Sequence, residues 1–335
     1  MSVSEFLIIL PVKNGGHYVR KAIESVLAQT VENWKMVILE NFSTDDTISV
    51  IESYKDSRIS LISSSESLGI YDNWNRAFGV VKDHDPQTIV TFLGHDDYFS
   101  PNFLKEIQAA AAAYPDATIY QTLFDLIDAE GSLIRACRPI PNREDWFNIM
   151  ASLCWALRDS YGTGYAFRAK DYVAVGGMPD LPMLLYSDHL LFTRLTRRGY
   201  KVCVPINGFA YRLHHGSTSG AVSKERFQAH ADALILFMGV LHDEFAEFTS
   251  TDLGQAAVAS LLGRELFLLE TPFVLQSLAS NTRAELARLQ ATYQKSGRGV
   301  PMTQLYGAPS SASRSVYLLR RINLMARFLK TKLTR

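Results

Sequence analysis

The chain has 335 residues, long enough for one large domain or two modest ones, and its 47% hydrophobic and 20% charged content is ordinary for a soluble globular protein. Three widely spaced cysteines, Cys137, Cys154 and Cys203, form no CxxC, which argues against a zinc site or a disulfide framework and fits a reducing compartment. The formal net charge of zero hides an asymmetry: ten of the 34 Lys and Arg fall in Leu286–Arg335, where there is no Asp or Glu, leaving 24 basic against 34 acidic side chains before them. An acidic body with a basic tail points to an anionic partner for the tail.

The opening MSVSEFLIILPV has no basic n-region or small-residue cleavage site, and its apolar run is too short to span a bilayer. It reads as a first buried strand, Phe6 to Val12, in a cytoplasmic protein. Apolar residues at helical spacing then predict a helix over Gly16–Gln29, followed by a strand at Trp34–Leu39. In ENFSTDDT, Ser43 or Thr44 is placed to cap a helix with Asp45 and Asp46 in its first turn. A third strand falls at Ile59–Ile62, a helix at Tyr71–Val81 and a fourth strand at Thr88–Leu93; Ser100-Pro101 opens an alanine-rich helix. Further on, strands are predicted at Ala117–Phe124, Thr163–Arg168 and Lys201–Pro205, with helices near Trp146–Leu157 and at Asp188–Arg198. Long Ala- and Leu-rich helices follow Ser219.

Alternating strands and helices imply a mostly parallel sheet flanked by helices, and such sheets bind ligands at the carboxyl ends of their strands. Glu40 and the pair Asp96-Asp97 lie at such ends. Two adjacent carboxylates there need an arginine, a helix N-terminus or a metal ion to balance them. No GxGxxG follows a strand and no GxxxxGK[ST] occurs, so a dinucleotide fold and a P-loop are unsupported. GSTSG at Gly216–Gly220 has Thr218 at its centre, so the serine-hydrolase elbow fails.

Seven segments, in order, resemble the family 2 glycosyltransferases, which have the GT-A (Rossmann-like) fold. They are ILPVKNGGHYVRKAIESVLAQT, VILENFSTDDT, SLGIYDNWNRAF, FLGHDDYFSP, GTGYAFRAKDYVAVGGM, YSDHLLFTRLTRRGY and YRLHHGSTS. The resemblance, which covers roughly residues 5–220, implies an α/β chain with a mostly parallel mixed sheet and a transferase domain over 1–220; after it the residue pattern predicts a helical C-terminal region over 221–295, a Gly/Pro/Ser-rich linker over 296–313 and a basic amphipathic helix over 314–335. Three positions depart from the family pattern: Gly94 and Ser187 where acids are usual, and Glu40 where aspartate is usual.

The resemblance implies a metal-dependent inverting transfer of a sugar from a nucleoside-diphosphate sugar to an acceptor hydroxyl. Asp96, Asp97 and His214 would hold Mn²⁺ or Mg²⁺, the imidazole favouring Mn²⁺. Asp188, at the start of a helix whose dipole keeps it ionised, would be the general base. Pro11, Val12, Lys13, Asn14, Glu40, Asn41, Asn73, Asn75, His95 and Asp96 would line the donor pocket, and Arg212 would grip the diphosphate. The plainer readings are helix caps for Asp96-Asp97 and Asp188, an ordinary loop histidine for His214 and a polar strand end for Glu40.

In the tail, Leu318, Leu319, Ile322, Met325, Ala326, Leu329 and Leu333 form one stripe flanked by Arg320, Arg321, Arg327, Lys330 and Lys332, as in a helix lying on an anionic membrane. The alternative is an apolar stripe docked on the body. The acidic body and the few tail aromatics argue against nucleic acid. The expected partners are therefore a nucleotide-sugar donor, a saccharide or lipid-linked acceptor and the inner membrane face, with a homo-oligomer left open. The rival functions are a sugar nucleotidyltransferase and a non-catalytic membrane-associated nucleotide-binding scaffold.

Overall fold

A computed structural model describes residues 5–214, 223–269, 274 and 276–295. The linker and the basic helix expected over 296–335 lie outside the described residues, as does most of YRLHHGSTS. In chain order the elements begin β1 (Phe6–Val12), α1 (Gly16–Leu27), β2 (Trp34–Glu40), α2 (Thr47–Glu52), β3 (Ile59–Ser63), α3 (Ile70–Lys82), β4 (Ile89–Phe92) and β5 (Tyr98–Phe99). They continue through α4 (Phe103–Ala113), β6 (Ile119–Ile127), β7 (Leu133–Ala136), β8 (Arg143–Glu144), α5 (Trp146–Cys154), β9 (Tyr165–Arg168) and α6 (Ala169–Ala174). The last are a 3₁₀ turn (Pro182–Leu184), α7 (Ser187–Thr196), β10 (Lys201–Arg212), α8 (Lys224–Asp243), α9 (Ala246–Thr249), α10 (Asp252–Leu269) and α11 (Ser280–Lys295).

The sheet order is β3-β2-β1-β4-β9-β6-β10-β5, with β7 on β6 and β8 on β10. The first four strands in this order are parallel, and the apolar run of β1 is buried along its whole length between β2 and β4. Beyond β4 the pairing changes. β9 runs antiparallel between β4 and β6, β10 runs parallel to β6 along its length, and β5, β7 and β8 are short antiparallel additions, so the sheet is the mostly parallel mixed sheet expected. β1, with β2 on one side and β4 on the other, sits where the strand order reverses, which is where such sheets leave a crevice for ligand.

Two local expectations are corrected. α2 starts at Thr47, not in the DD turn; Asp45 Oδ1 accepts from the Thr47 amide at 3.1 Å, while Ser43 Oγ accepts from the Asn14 amide. β10 does not stop at Pro205 but runs to Arg212. Its register on β6 jumps between Val204 and Asn207 and again before Phe209, so Pro205 and Gly208 are accommodated in bulges instead of ending the strand.

The described residues divide into two compact units. One comprises the chain up to Met150 with Arg158–Asp180 and Ser187–His214; the other takes Ala151–Leu157, Leu181–Tyr186 and the helices after His214. Ala151–Leu157 and Leu181–Tyr186 thus group with the helices, although both precede residue 220 in the chain. In the helical unit, the Tyr186 ring stacks on Phe237 and its hydroxyl lies 3.0 Å from His230 Nε2, which also meets Glu265 Oε2 at 2.9 Å.

Candidate active site

The crevice at the ends of β1 and β2 is closed by hydrogen bonds between its loops. The Asn14 side chain accepts from the Thr44 amide, the Lys13 ammonium donates to Ser67 Oγ, and the Asn41 amide group clasps Leu68 by donating to its carbonyl and accepting from its N–H. Asn73 on α3 donates to the Leu39 carbonyl, and the Arg76 guanidinium donates to the carbonyls of Glu40 and Ile62. Pro11 and Val12 form the end of β1 itself, and Asn75 lies half-buried on α3. Asn14, Asn41 and Asn73 thus fix the shape of the crevice. Glu40 differs: its side chain is fully buried, Oε1 accepts from the Ser43 amide, and Oε2 has no partner among the described residues. A buried oxygen without a donor marks a place for a ligand N–H.

At the end of β4, Leu93 stays in the sheet through its N–H to the Ile9 carbonyl, and the chain then turns through Gly94, His95, Asp96 and Asp97. β5 separates this turn from α4, whose N-cap position is Asn102, so neither aspartate caps that helix. The two carboxylates part company. Asp97 is 2% exposed; its Oδ2 accepts from Thr163 Oγ1 at 2.9 Å and its Oδ1 from the Arg212 amide at 2.9 Å. Burial, and then the charge of Asp96, push its carboxyl well above the usual carboxylate range. Asp96 points elsewhere: its Oδ2 lies 2.8 Å from His214 Nε2, just past the end of β10. The Tyr18 ring packs 5.0 Å from the His214 ring, and burial holds the His95 imidazole below its ordinary value.

This geometry revises two expectations. Asp97 is a peg that ties the turn to β10 and to Thr163, not an open metal ligand. Arg212 is 5% exposed; Nε donates to the Asp96 carbonyl and Nη1 to those of Asp128 and Ala129, so it braces the turn rather than facing a diphosphate. Among the described residues no group of three or more His, Cys, Asp or Glu is arranged to hold a metal. The remaining donor set, one carboxylate and one imidazole in contact and both partly exposed, still fits Mn²⁺ or Mg²⁺, because such ions take few protein ligands when phosphate oxygens complete the shell.

Asp188 lies in the first turn of α7. Its Oδ1 accepts from the His189 amide at 3.0 Å and lies 2.9 Å from His189 Nδ1; its Oδ2 accepts from Ser160 Oγ at 2.7 Å. Burial raises the carboxyl, but His189 and the Ser160 hydroxyl outweigh it, and the group is held below the ordinary carboxylate value. Ser187, where the family usually has an acid, is fully buried and its Oγ has no partner among the described residues.

Both carboxylates answer to one short segment. In SYGT, Ser160 donates to Asp188 and Thr163 donates to Asp97. Tyr161 anchors it by stacking on Tyr211 at 3.5 Å, and Gly164, at φ +78°, leaves no room for a Cβ against Phe209. Neither hydroxyl has a sequence signal, since each matters through a contact distant in the chain. Tyr18 and Arg76 were missed for the same reason.

Residues 7–174 match the profile described as Glycosyl transferase family 2, which is half of the chain. The chain belongs to glycosyl transferase family 2. Among curated members, it is 32% identical over 135 residues to an uncharacterized glycosyltransferase of Rickettsia felis, covering 39% of this chain and 21% of that protein. It is 31% identical over 98 residues to the Escherichia coli UDP-Glc:alpha-D-GlcNAc-diphosphoundecaprenol beta-1,3-glucosyltransferase WfgD, covering 29% of this chain and 37% of that one. The matches thus span well under half the length of these relatives. Of solved structures, S. aureus TarS 1-349 in complex with UDP-GlcNAc superposes with TM-score 0.59 at 15% identity, over 86% of this family 2 chain and 80% of TarS. The mannosyltransferase PcManGT from Pyrobaculum calidifontis, in complex with GDP-Man and Mn²⁺, does so with TM-score 0.51 at 15% identity, over 96% and 88%. These likenesses show the fold.

Proposed function

We propose that this family 2 chain moves a sugar from a nucleoside-diphosphate sugar to an acceptor hydroxyl with inversion at the anomeric carbon. The observation that carries the reading is the meeting of Asp96 and His214 past the end of β4, with the unpartnered oxygen of Glu40 at the end of β2 in the same sheet. Glu40 Oε2 accepts an N–H from the nucleobase, which relieves the cost of an unpaired buried oxygen. Asp96 and His214 would hold Mn²⁺ or Mg²⁺, which when bound would supply positive charge to offset that of the leaving diphosphate. Asp188 takes the proton of the acceptor hydroxyl as that oxygen attacks the sugar, while the bond to the diphosphate breaks with its electron pair leaving on phosphate oxygen. The low-lying carboxyl of Asp188 keeps it ready as a base at neutral pH.

The acceptor class we propose is a saccharide or lipid-linked sugar of a cell-surface polymer. Names among the relatives favour it, including WfgD and a minor teichoic acid biosynthesis protein, GgaA, of Bacillus subtilis, 30% identical over 105 residues that cover 24% of that protein. The basic stripe over 314–335 would bring the site to an anionic membrane surface. Among the described residues no helix is long and apolar enough to cross a membrane. A nucleotidyltransferase is disfavoured because the N–H groups of Asn14, Gly15 and Gly16 already donate to Ser43 and Thr47, leaving that loop no amide cradle for a triphosphate.

Thermal unfolding with UDP, GDP, dTDP and CMP, each with and without Mn²⁺, tests the reading. One nucleotide should raise the midpoint only when the metal is present. No shift with any of them would favour a non-catalytic scaffold.

A further inference from the structure

The Asp96–His214 pair leans on an aromatic ring supplied by α1. Tyr18 stands in the first turn of that helix, half-buried, with its ring centroid 5.0 Å from that of His214 and the two planes 47° apart. The central carbon of the Arg212 guanidinium lies 4.9 Å from the centre of the same ring. α1 begins hard against the turn that carries Asp96. A Cβ at Gly15 would lie 2.6 Å from Val12 Cγ2 and 3.2 Å from His95 Cδ2, so glycine is what permits this approach. The Tyr18 ring therefore stands on a fixed base.

Arg212 is a buried cation, and the groups it meets are three carbonyls and one aromatic ring. Nε donates to the Asp96 carbonyl at 2.8 Å, and Nη1 to the carbonyls of Asp128 and Ala129 at 2.9 Å each. Its charge is attracted to the Tyr18 ring. The Asp96 carboxylate takes no part in this, because its Oδ2 faces His214 Nε2 at 2.8 Å. An arginine on that carboxylate would compete with a divalent ion for it. On the carbonyl it fixes the backbone of one ligand, while its charge holds the ring that packs on the other. His214 lies two residues beyond β10, where an imidazole with nothing packed on it would turn among its rotamers. Partners that fix the orientation of a metal-binding imidazole are worth about 10–100-fold in metal affinity.

We propose that Tyr18 is a positioning residue: its ring, held by the Arg212 guanidinium, fixes the His214 imidazole so that Nε2 and Asp96 Oδ2 serve one divalent cation together. This rests on the reading of Asp96 and His214 as the metal pair. The ring does this and the hydroxyl does not, since both contacts are made to the ring.

The test uses the full chain. Electron paramagnetic resonance counts free Mn²⁺ in titrations with UDP and with GDP, the nucleotide concentration being the same in every sample. Tyr18→Leu should weaken Mn²⁺ binding about tenfold, and Tyr18→Phe should stay within about twofold of the wild type. At saturating Mn²⁺ the nucleotide-induced rise in Tm should return to the wild-type value in Tyr18→Leu, a readout that also reports folding. Tyr18→Met serves where the leucine variant melts too early to titrate. Unchanged Mn²⁺ binding in Tyr18→Leu, or an equal loss in Tyr18→Phe, overturns the proposal. A rise in Tm that stays low at saturating Mn²⁺ overturns it too, because Tyr18 would then act on the nucleotide and not on the ion. Asp96→Ala and His214→Ala separate the two readings. If both lose Mn²⁺ while Tyr18→Leu keeps it, the metal pair stands and only Tyr18 falls. If both bind Mn²⁺ like the wild type, or the wild type binds none, the metal pair falls and the proposal with it.

Discussion

Replacing Gly94 by alanine tests why this chain has glycine where its family usually carries an acid. A Cβ at Gly94 would sit 2.5 Å from Asp97 Oδ2 and 3.0 Å from Asp96 Oδ1. The first contact is about 1 Å inside van der Waals separation, so the Asp97 carboxylate must move. Its two donors, Thr163 Oγ1 and the Arg212 amide, then lose their buried acceptor. Each such loss costs about 1–3 kcal/mol, which puts Gly94→Ala at about 2–4 kcal/mol. For a unit of this size that is a fall in Tm of about 5–15 °C. Gly79, on α3, is the control: nothing lies within 4 Å of its Cβ position, and Gly79→Ala should stabilise by about 0.5–1 kcal/mol through helix propensity. Differential scanning calorimetry of both variants reads the opposite signs. A Gly94→Ala protein that melts with the wild type would refute the claim that Asp97 occupies the space the family gives to an acid at position 94.

Asp96→Ala should abolish the Mn²⁺-dependent part of the nucleotide-induced rise in Tm, and a full rise in that variant would remove Asp96 from the metal site. Glu265 is pushed up by burial but brought down to about 2 by His230 and Arg264. A depressed folded-state carboxyl stabilises above its unfolded value and ceases to do so as pH falls through the folded one. Glu265→Gln should therefore cost on the order of 3 kcal/mol at pH 6, a difference that shrinks between about pH 4.5 and 2 in urea titrations. An equal cost at pH 6 and pH 2.5 would contradict the ion-pair account. Deleting residues 314–335 should release the protein from phosphatidylglycerol vesicles in flotation assays; undiminished binding would show that the membrane contact lies elsewhere.

Much of the first half of the fold was legible because β1, β2 and β4 are buried on both faces and the helices on one. The runs FLIILPV and WKMVILE, and the apolar stripe of α1, therefore carry their periods openly. β10 was cut short because Pro205 and Gly208 ordinarily punctuate a strand, whereas here the register with β6 slips to pass them. β5 and β8 are two residues long and β7 is exposed throughout, so none has a period to read.

The sequence by itself determined the α/β class and the approach of Glu40, Asp96 and Asp188 to strand and helix ends, because those positions follow from local hydrophobic period. It could not separate Asp96 from Asp97. Adjacent residues share a local pattern, and only the packing of Thr163 and of the Arg212 amide around one of them decided which is buried and which faces His214. The hydroxyl of Ser160 was likewise beyond any one-dimensional reading, because it meets Asp188 only across 28 residues of folded chain.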